Sequence, residues 1–321
     1  MRVRHLVLPL AALFVSGQAA WAEYPEKPIK MLVSYAPGGS TDLTARILAP
    51  FIEKYLRDGA NIIVENRPGA GGEIGFTQLA EARPDGYTIG FVNTPNILTI
   101  PIERKTKFKI ESFDLLGNVL DDPGGFSVNK DGPFKTLADL VEYAKKNPNA
   151  VTYGTTGVGS DDHLAALEFS RLNDIKMTHV PFPGASAVKT ALTGNHITLG
   201  SMNIGEAMQA TSSGSPFINL GQMGEQRVAI APDVPTFKEQ NYNIISASLR
   251  GVGAPAGLPD DVHKRLADAV AKAAADPEFQ AQATKIFAPV RYLSPEEHLK
   301  AFKDLDASFR KLWADQPWTA Q

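Results

Sequence analysis

The chain has 321 residues, 43% of them hydrophobic, a formal net charge of −3 and no cysteine. That length supports a packed core and roughly two domains. The lack of cysteine excludes disulfides, cysteine-ligated zinc and thiol catalysis. No basic run interleaved with aromatics occurs, so nucleic acid is not an expected partner.

In chain order, the first residues read as a targeting segment. Arg2 and Arg4 form a positive start, Leu6 to Val15 an apolar stretch, and Ala20-Trp21-Ala22 an A-x-A cleavage site. Residues 1–22 are therefore expected to be a signal peptide, with a mature periplasmic protein starting at Glu23. A membrane anchor is the competing reading, but the stretch is shorter than the ~20 residues a span needs. Losing the two arginines moves the net charge from −3 to −5. A protein of that charge must hold an anion with local dipoles, because its overall field does not attract one.

Beyond it, strand-like and helix-like segments alternate, the α/β pattern. Ile29 to Tyr35 is a predicted strand and Thr41 to Leu56 a helix, with Pro50 inside it. Between them lies Tyr35-Ala36-Pro37-Gly38-Gly39-Ser40-Thr41-Asp42, a glycine turn feeding a helix start. Glycines let backbone N–H groups converge, and the helix terminus adds unpaired donors and partial positive charge. Pro37, Gly38, Gly39, Ser40 and Asp42 are thus candidate ligand residues. The competing reading is an ordinary tight connection. Asn61 to Glu65 is a second strand, followed by the turn Asn66-Arg67-Pro68-Gly69-Ala70-Gly71-Gly72, a helix from Ile74 and a strand Tyr87 to Asn93. Leu115 to Val119 and Gly125 to Val128 read as separate extended segments, interrupted by Asp121-Asp122-Pro123-Gly124. Leu137 to Lys146 is a predicted amphipathic helix. Val151 to Gly154 leads into a third turn, Gly154-Thr155-Thr156-Gly157-Val158-Gly159-Ser160, with Ser160 an N-cap for the next helix. Thr178 to Pro181 and Ile197 to Met202 are strands flanking a helix Ala185 to Leu192. Asp260 to Ala275 and Pro295 to Trp313 are helices. Three turns of one grammar, at the carboxyl ends of strands, should line one crevice of an open parallel sheet.

The second turn mimics a dinucleotide fingerprint but fails on spacing, since position 74 is Ile and Gly75 comes one late. The third lacks the Gly-Lys-Ser/Thr of a phosphate loop, yet Thr155, Thr156 and Ser160 can donate to a carboxylate. No Gly-x-Ser-x-Gly elbow and no His-Glu-x-x-His occur, so no catalytic residue, cofactor or metal is expected. His163 either packs at a helix start or bonds a ligand, and Glu168 reads as structural. Arg250, in a largely apolar strand, needs a partner: a structural aspartate or a ligand carboxylate. Asn203 either closes a turn or points into the crevice.

Taken together, the chain resembles the extracytoplasmic solute receptors of tripartite tricarboxylate transporters, the Bug receptors. The resemblance runs over the whole mature chain. It is carried by Ala36-Pro37-Gly38-Gly39-x-x-Asp42 with Arg46, Val64-Glu65-Asn66-Arg67-Pro68-Gly69-Ala70-Gly71-Gly72 and Pro84-Asp85-Gly86-Tyr87-Thr88. Further on come Tyr153-Gly154-Thr155, Gly157-x-Gly159-Ser160, His163-Leu164-Ala165, Pro232-Asp233-Val234-Pro235-Thr236 and Ala254-Pro255-Ala256-Gly257-Leu258-Pro259. It implies a two-domain α/β periplasmic binding protein of Venus-flytrap form with two connecting strands. Residues 23–122 with 226–321 would form one domain and 123–225 the other. It implies a monomer that closes on a small carboxylate and delivers it to membrane permease subunits, and no enzyme. Gly38, Gly39, Ser40, Gly69, Ala70 and Gly71 would grip one carboxylate like pincers, facing Thr155, Thr156 and Ser160.

This chain departs from the pattern twice. Leu249-Arg250-Gly251 stands where many members have an aromatic residue before the glycine, and Ser201-Met202-Asn203 where many carry an aspartate. Both departures point toward a di- or tricarboxylate. A secreted enzyme using His163, and a sensor receptor without a transport role, are the alternatives.

Overall fold

The computed structural model describes residues 24–315 and 317–319. The signal-peptide expectation falls on residues 1–22, outside the described part. Ten strands form two linked sheets. The first sheet begins with three parallel strands: β1 (Ile29–Val33), β2 (Ile62–Asn66) and β3 (Thr88–Asn93). Its helices are α1 (Ser40–Leu56), α2 (Glu73–Ala80) and α3 (Asn96–Glu103). Next comes β4 (Phe113–Asn129), a single 17-residue strand where the sequence suggested a break. Its first half belongs to the first sheet and its second half to the second. Pro123 is tolerated because it sits at the crossover between the two sheets, where the strand changes partners. Asp122 stays in the strand because Arg250 and the Gly205 N–H hold it.

The second unit runs α4 (Leu137–Lys146), β5 (Thr152–Thr155), α5 (Asp161–Leu172), β6 (Thr178–Pro181), α6 (Ala185–Thr193), β7 (Leu199–Asn203), α7 (Ile204–Ser212) and β8 (Phe217–Gln222). Strand β5 lies parallel to β6 and β7, while β4 runs antiparallel to β7 and β8. The chain then returns beside β4: Gly124 N donates to Ser246 O and Ser246 N to Met223 O. It enters β9 (Ala247–Pro255), inserted antiparallel between β3 and β4. Helices α8 (Asp260–Ala275) and α9 (Pro277–Lys285), strand β10 (Val290–Leu293) and helix α10 (Pro295–Asp315) complete the first unit. Asp276 starts α9 by accepting the Glu278 N–H, with Pro277 in the first turn.

Each sheet has apolar cores of its own. Ile29, Met31, Leu48, Phe51, Leu116, Leu266 and Phe279 pack on one face of the first, and Leu32, Phe76, Leu98 and Phe302 on the other. Phe126, Tyr153, Phe169 and Phe237 fill one side of the second, and Val188, Leu192, Met202 and Ile204 the other. The result is two α/β lobes joined by two adjacent extended segments, β4 and the run into β9. The sheets are mixed, not wholly parallel as the sequence suggested, because β9 and β4 return antiparallel through them.

Candidate functional site

All three glycine turns open on the cleft between the lobes, where two small cavities lie side by side. Each is about 150 Å³ and both are lined by Tyr35, Thr156 and Pro183. The first cavity takes Gly39, Ser40 and Thr41 from the start of α1, and Gly184, Ala185 and Ser186 from the start of α6. Asn203 and Glu206 at the start of α7, and Arg250 on β9, close it. Leading N–H groups of a helix have no intrahelical acceptor, so the starts of α1 and α6 aim donors and partial positive charge at one space, while α7 spends the Gly205 N–H on Asp122. The second cavity is built on Gly69, Ala70, Gly71 and Gly72, opposite Gly157, Val158 and Phe182. All four turn residues have positive φ, from 49° at Ala70 to 137° at Gly69. Three glycines make that path accessible, and it turns the backbone toward the cleft.

Several predicted residues have other occupations. Asp42 lines neither cavity. Its carboxylate accepts the Gly38 N–H at 2.9 Å, the Asn66 amide at 2.9 Å and the Arg46 guanidinium, so the pair Gly38–Asp42 ties the first turn to α1. Pro37 and Gly38 are exposed outside both cavities. Thr155 is buried, with its hydroxyl between His179 Nε2 (2.7 Å) and Gly157. Ser160 caps α5, accepting the His163 N–H and donating to Gly157 O. His163 accepts the Gly159 N–H at Nδ1 and stacks on His179 at 4.0 Å. Burial, with His179 beside it, lowers its pKa to about 3, so it stays neutral. Thr156 reaches both cavities, while its hydroxyl donates to Asp162 at 2.7 Å.

Arg250 joins the two lobes. Nη1 donates to Ser40 Oγ, and Nη2 donates to Asn203 Oδ1 at 2.8 Å and lies 3.3 Å from Asp122 and 3.6 Å from Glu206. Asn203 in turn donates to Asp122 O and Asp161 Oδ2. The sequence left Arg250 open between protein and ligand; its terminal nitrogens are engaged by protein. The case for a second anionic ligand group therefore loses its arginine. Asn203, left open between a turn and the crevice, does both: it starts α7 and lines the first cavity.

Composition and motif spacing did not reveal that the cavity is acidic. Asp122, Asp161, Asp162 and Glu206 are buried around the single guanidinium. Asp161, Asp162 and Glu206 sit in first turns of helices, where carboxylates are routine, so nothing in their spacing marked them. Burial pushes the Asp122 carboxyl up to about 7 despite Arg250, with Glu206 adding to the rise. Burial likewise raises Asp161 to about 6, and raises Asp162 well above the usual range with Asp161 beside it. A raised carboxyl favours the folded state at low pH and loses that contribution as pH climbs through its folded pKa. Stability should accordingly rise by on the order of 1 kcal/mol from pH 8 to 6.5. Below pH 6.5 the buried His163, His179 and His298, all held low by burial, pull the other way. Urea unfolding across pH 6.5–8 tests this, and Asp122→Asn should flatten the slope.

Two α/β lobes, two linking segments and a cleft lined by turns and helix starts define a periplasmic-binding-protein fold. Similarity places it more narrowly. A family model described as "Tripartite tricarboxylate transporter family receptor" matches residues 44–304. The chain is 32% identical over 298 residues to the "UPF0065 protein in gbd 5'region" of Cupriavidus necator, covering 91% of this chain and 87% of that one. A solved periplasmic binding protein named BugD superposes with a TM-score of 0.83 at 30% identity, over 91% of this chain and 98% of that one. Another, described as a periplasmic transporter, gives 0.85 at 29% identity, over 91% and 98%. The chain belongs to the tripartite tricarboxylate transporter receptor family, a class of solute-binding proteins and not of enzymes. Among the described residues no helix is long and apolar enough to cross a membrane.

Proposed function

We propose that this chain is a periplasmic receptor that captures a small carboxylate by closing its two lobes and delivers it to the permease subunits of a tripartite transporter. The first lobe, including β9 and the helices after it, acts as one moving unit and residues 123–246 as the other, hinged at β4 and the run into β9. The expected boundary at 226 moves because Ala231, Phe237 and Ile244 pack into the second lobe's cores. The observation that carries the reading is the convergence of the α1 and α6 N-termini on one cavity, beside the glycine turn at 69–72. Such an array holds a carboxylate by backbone donors without metal or a dedicated cation. Ligand binding then favours closure by its differential affinity for the closed form.

A thermal-shift panel tests this. Mono-, di- and tricarboxylates and aromatic acids are compared with neutral analogues in which every acid group is a carboxamide. An acid present at a hundred times its dissociation constant should add about 2.7 kcal/mol of stability. The fully amidated analogue should add none. Equal shifts for acids and amides would remove the anion site, and turnover of a stabilising acid would remove the receptor reading.

A further inference from the structure

Three buried side chains in the first cavity have polar atoms without a partner: Asn93 Oδ1, Asn96 Nδ2 and Glu206 Oε2. Their residues are 3%, 5% and 7% exposed. Leaving a buried donor or acceptor unsatisfied costs about 1–3 kcal/mol, and these three are set apart from the other unpartnered atoms by belonging to residues of one cavity, where a ligand can complete them. Asn96 Nδ2 is a donor, and it lies on the side of the second glycine turn, 3.5 Å from where a Gly71 side chain would begin. Together with the leading N–H groups of α1 it suits a carboxylate oxygen. Glu206 is the reverse case. A carboxylate offers acceptors only, and unlike an asparagine amide its two ends cannot exchange a donor for an acceptor. One oxygen of Glu206 faces Arg250 at 3.6 Å; the other faces nothing. Asn93 already donates its amide to Thr41 Oγ1 at 2.9 Å, which leaves its oxygen as a second acceptor on the same cavity.

Charge points the same way. Asp161 and Glu206 line the cavity, Asp122 and Asp162 are buried beside them, and Arg250 is the one buried guanidinium among the described residues, so the site already carries more acid than its cation offsets. A ligand made only of carboxylates worsens that balance. A ligand that also carries a protonated or amide nitrogen improves it and fills the two vacant acceptors.

We propose that Glu206, assisted by Asn93, selects a carboxylate that also bears an N–H nitrogen, ammonium or amide, over one built of carboxyl groups alone. This rests on the receptor reading above and names its ligand class. Isothermal titration of the full mature chain compares succinate, malate, aspartate and succinamate, their five-carbon counterparts, and benzoate with anthranilate. In at least one series the nitrogen-bearing member should bind tenfold or more tightly than its nitrogen-free partner. Aspartate and succinamate separate the ammonium from the amide. Glu206→Gln should erase an ammonium margin, bringing the ratio of aspartate to succinate affinity toward one. Acids that bind with no nitrogen margin in any series overturn the selection by Glu206 and leave the receptor reading standing. No binding by any acid overturns both. The wild-type margins decide the matter even where the variant fails to fold.

Discussion

Arg250→Met should destabilise the protein by about 3–5 kcal/mol at pH 8, the usual cost of leaving buried charges without their partner. The side chain is nearly as large and as apolar as the arginine stem, so little is lost in packing. What is lost is the counter-charge to Asp122 at 3.3 Å and Glu206 at 3.6 Å, and the bonds to Ser40 and Asn203. Without the guanidinium the Asp122 and Asp161 carboxyls, which it holds down, rise further above their ordinary range. Their contribution then survives at low pH and disappears as pH climbs through the raised values, so the deficit should shrink from pH 8 to pH 5. The buried histidines titrate in both proteins and cancel in the difference. Urea unfolding of both proteins at the two pH values reads this. A deficit under 1 kcal/mol at pH 8 would return Arg250 to the ligand, the other role its sequence context allowed.

Arg250 also marks where the sequence stops being informative. An arginine between Leu249 and Gly251 announces a partner, but the acids buried around it come from three elements, and only the topology brings them there. Asp122 lies on β4, Asp161 and Asp162 on α5, Glu206 on α7. The glycine turns were legible for the opposite reason. Their function is local, written in consecutive residues that permit positive φ, so Gly69 to Gly72 could be placed on the cleft from sequence. The partner of Asp42 was not legible, because a first-turn aspartate reads as a dipole partner whether it faces solvent, ligand or, as here, the Gly38 N–H. The start of α6 was missed since Gly184-Ala185-Ser186 carries no chemistry except its backbone. Strand β4 looked broken at Asp121 to Gly124 because turn-forming residues serve equally well where a strand passes from one sheet to another.

The contact between lobes offers a way to weaken binding without touching the ligand. Thr99 on α3 donates its hydroxyl to Gly159 O at 2.9 Å, joining the first lobe to the third glycine turn. Gly159 has φ 72°, and a Cβ there would run into Glu103 Oε1 and approach Thr99 Oγ1 to 3.1 Å and Trp318 Nε1 to 3.3 Å. Glu103 cannot swing away freely, since Trp318 Nε1 donates to it and Arg104 pairs with it at 2.8 Å. Gly159→Ala meets two penalties of different kinds. The left-handed backbone strains the turn whether the lobes are open or closed. The clash with Glu103 exists only when they are closed, and crowding of this sort costs about 1–3 kcal/mol. Only the second penalty opposes ligand-driven closure. Affinity for whichever acid stabilises the wild type should therefore fall roughly tenfold or more, at 1.4 kcal/mol per factor of ten. Titration calorimetry measures that loss, and adding Glu103→Ala should recover part of it, because the two residues are in contact and their effects do not add. Unchanged affinity in the single variant would mean that ligand is held without this contact, and that the lobes need not meet at Gly159 for binding.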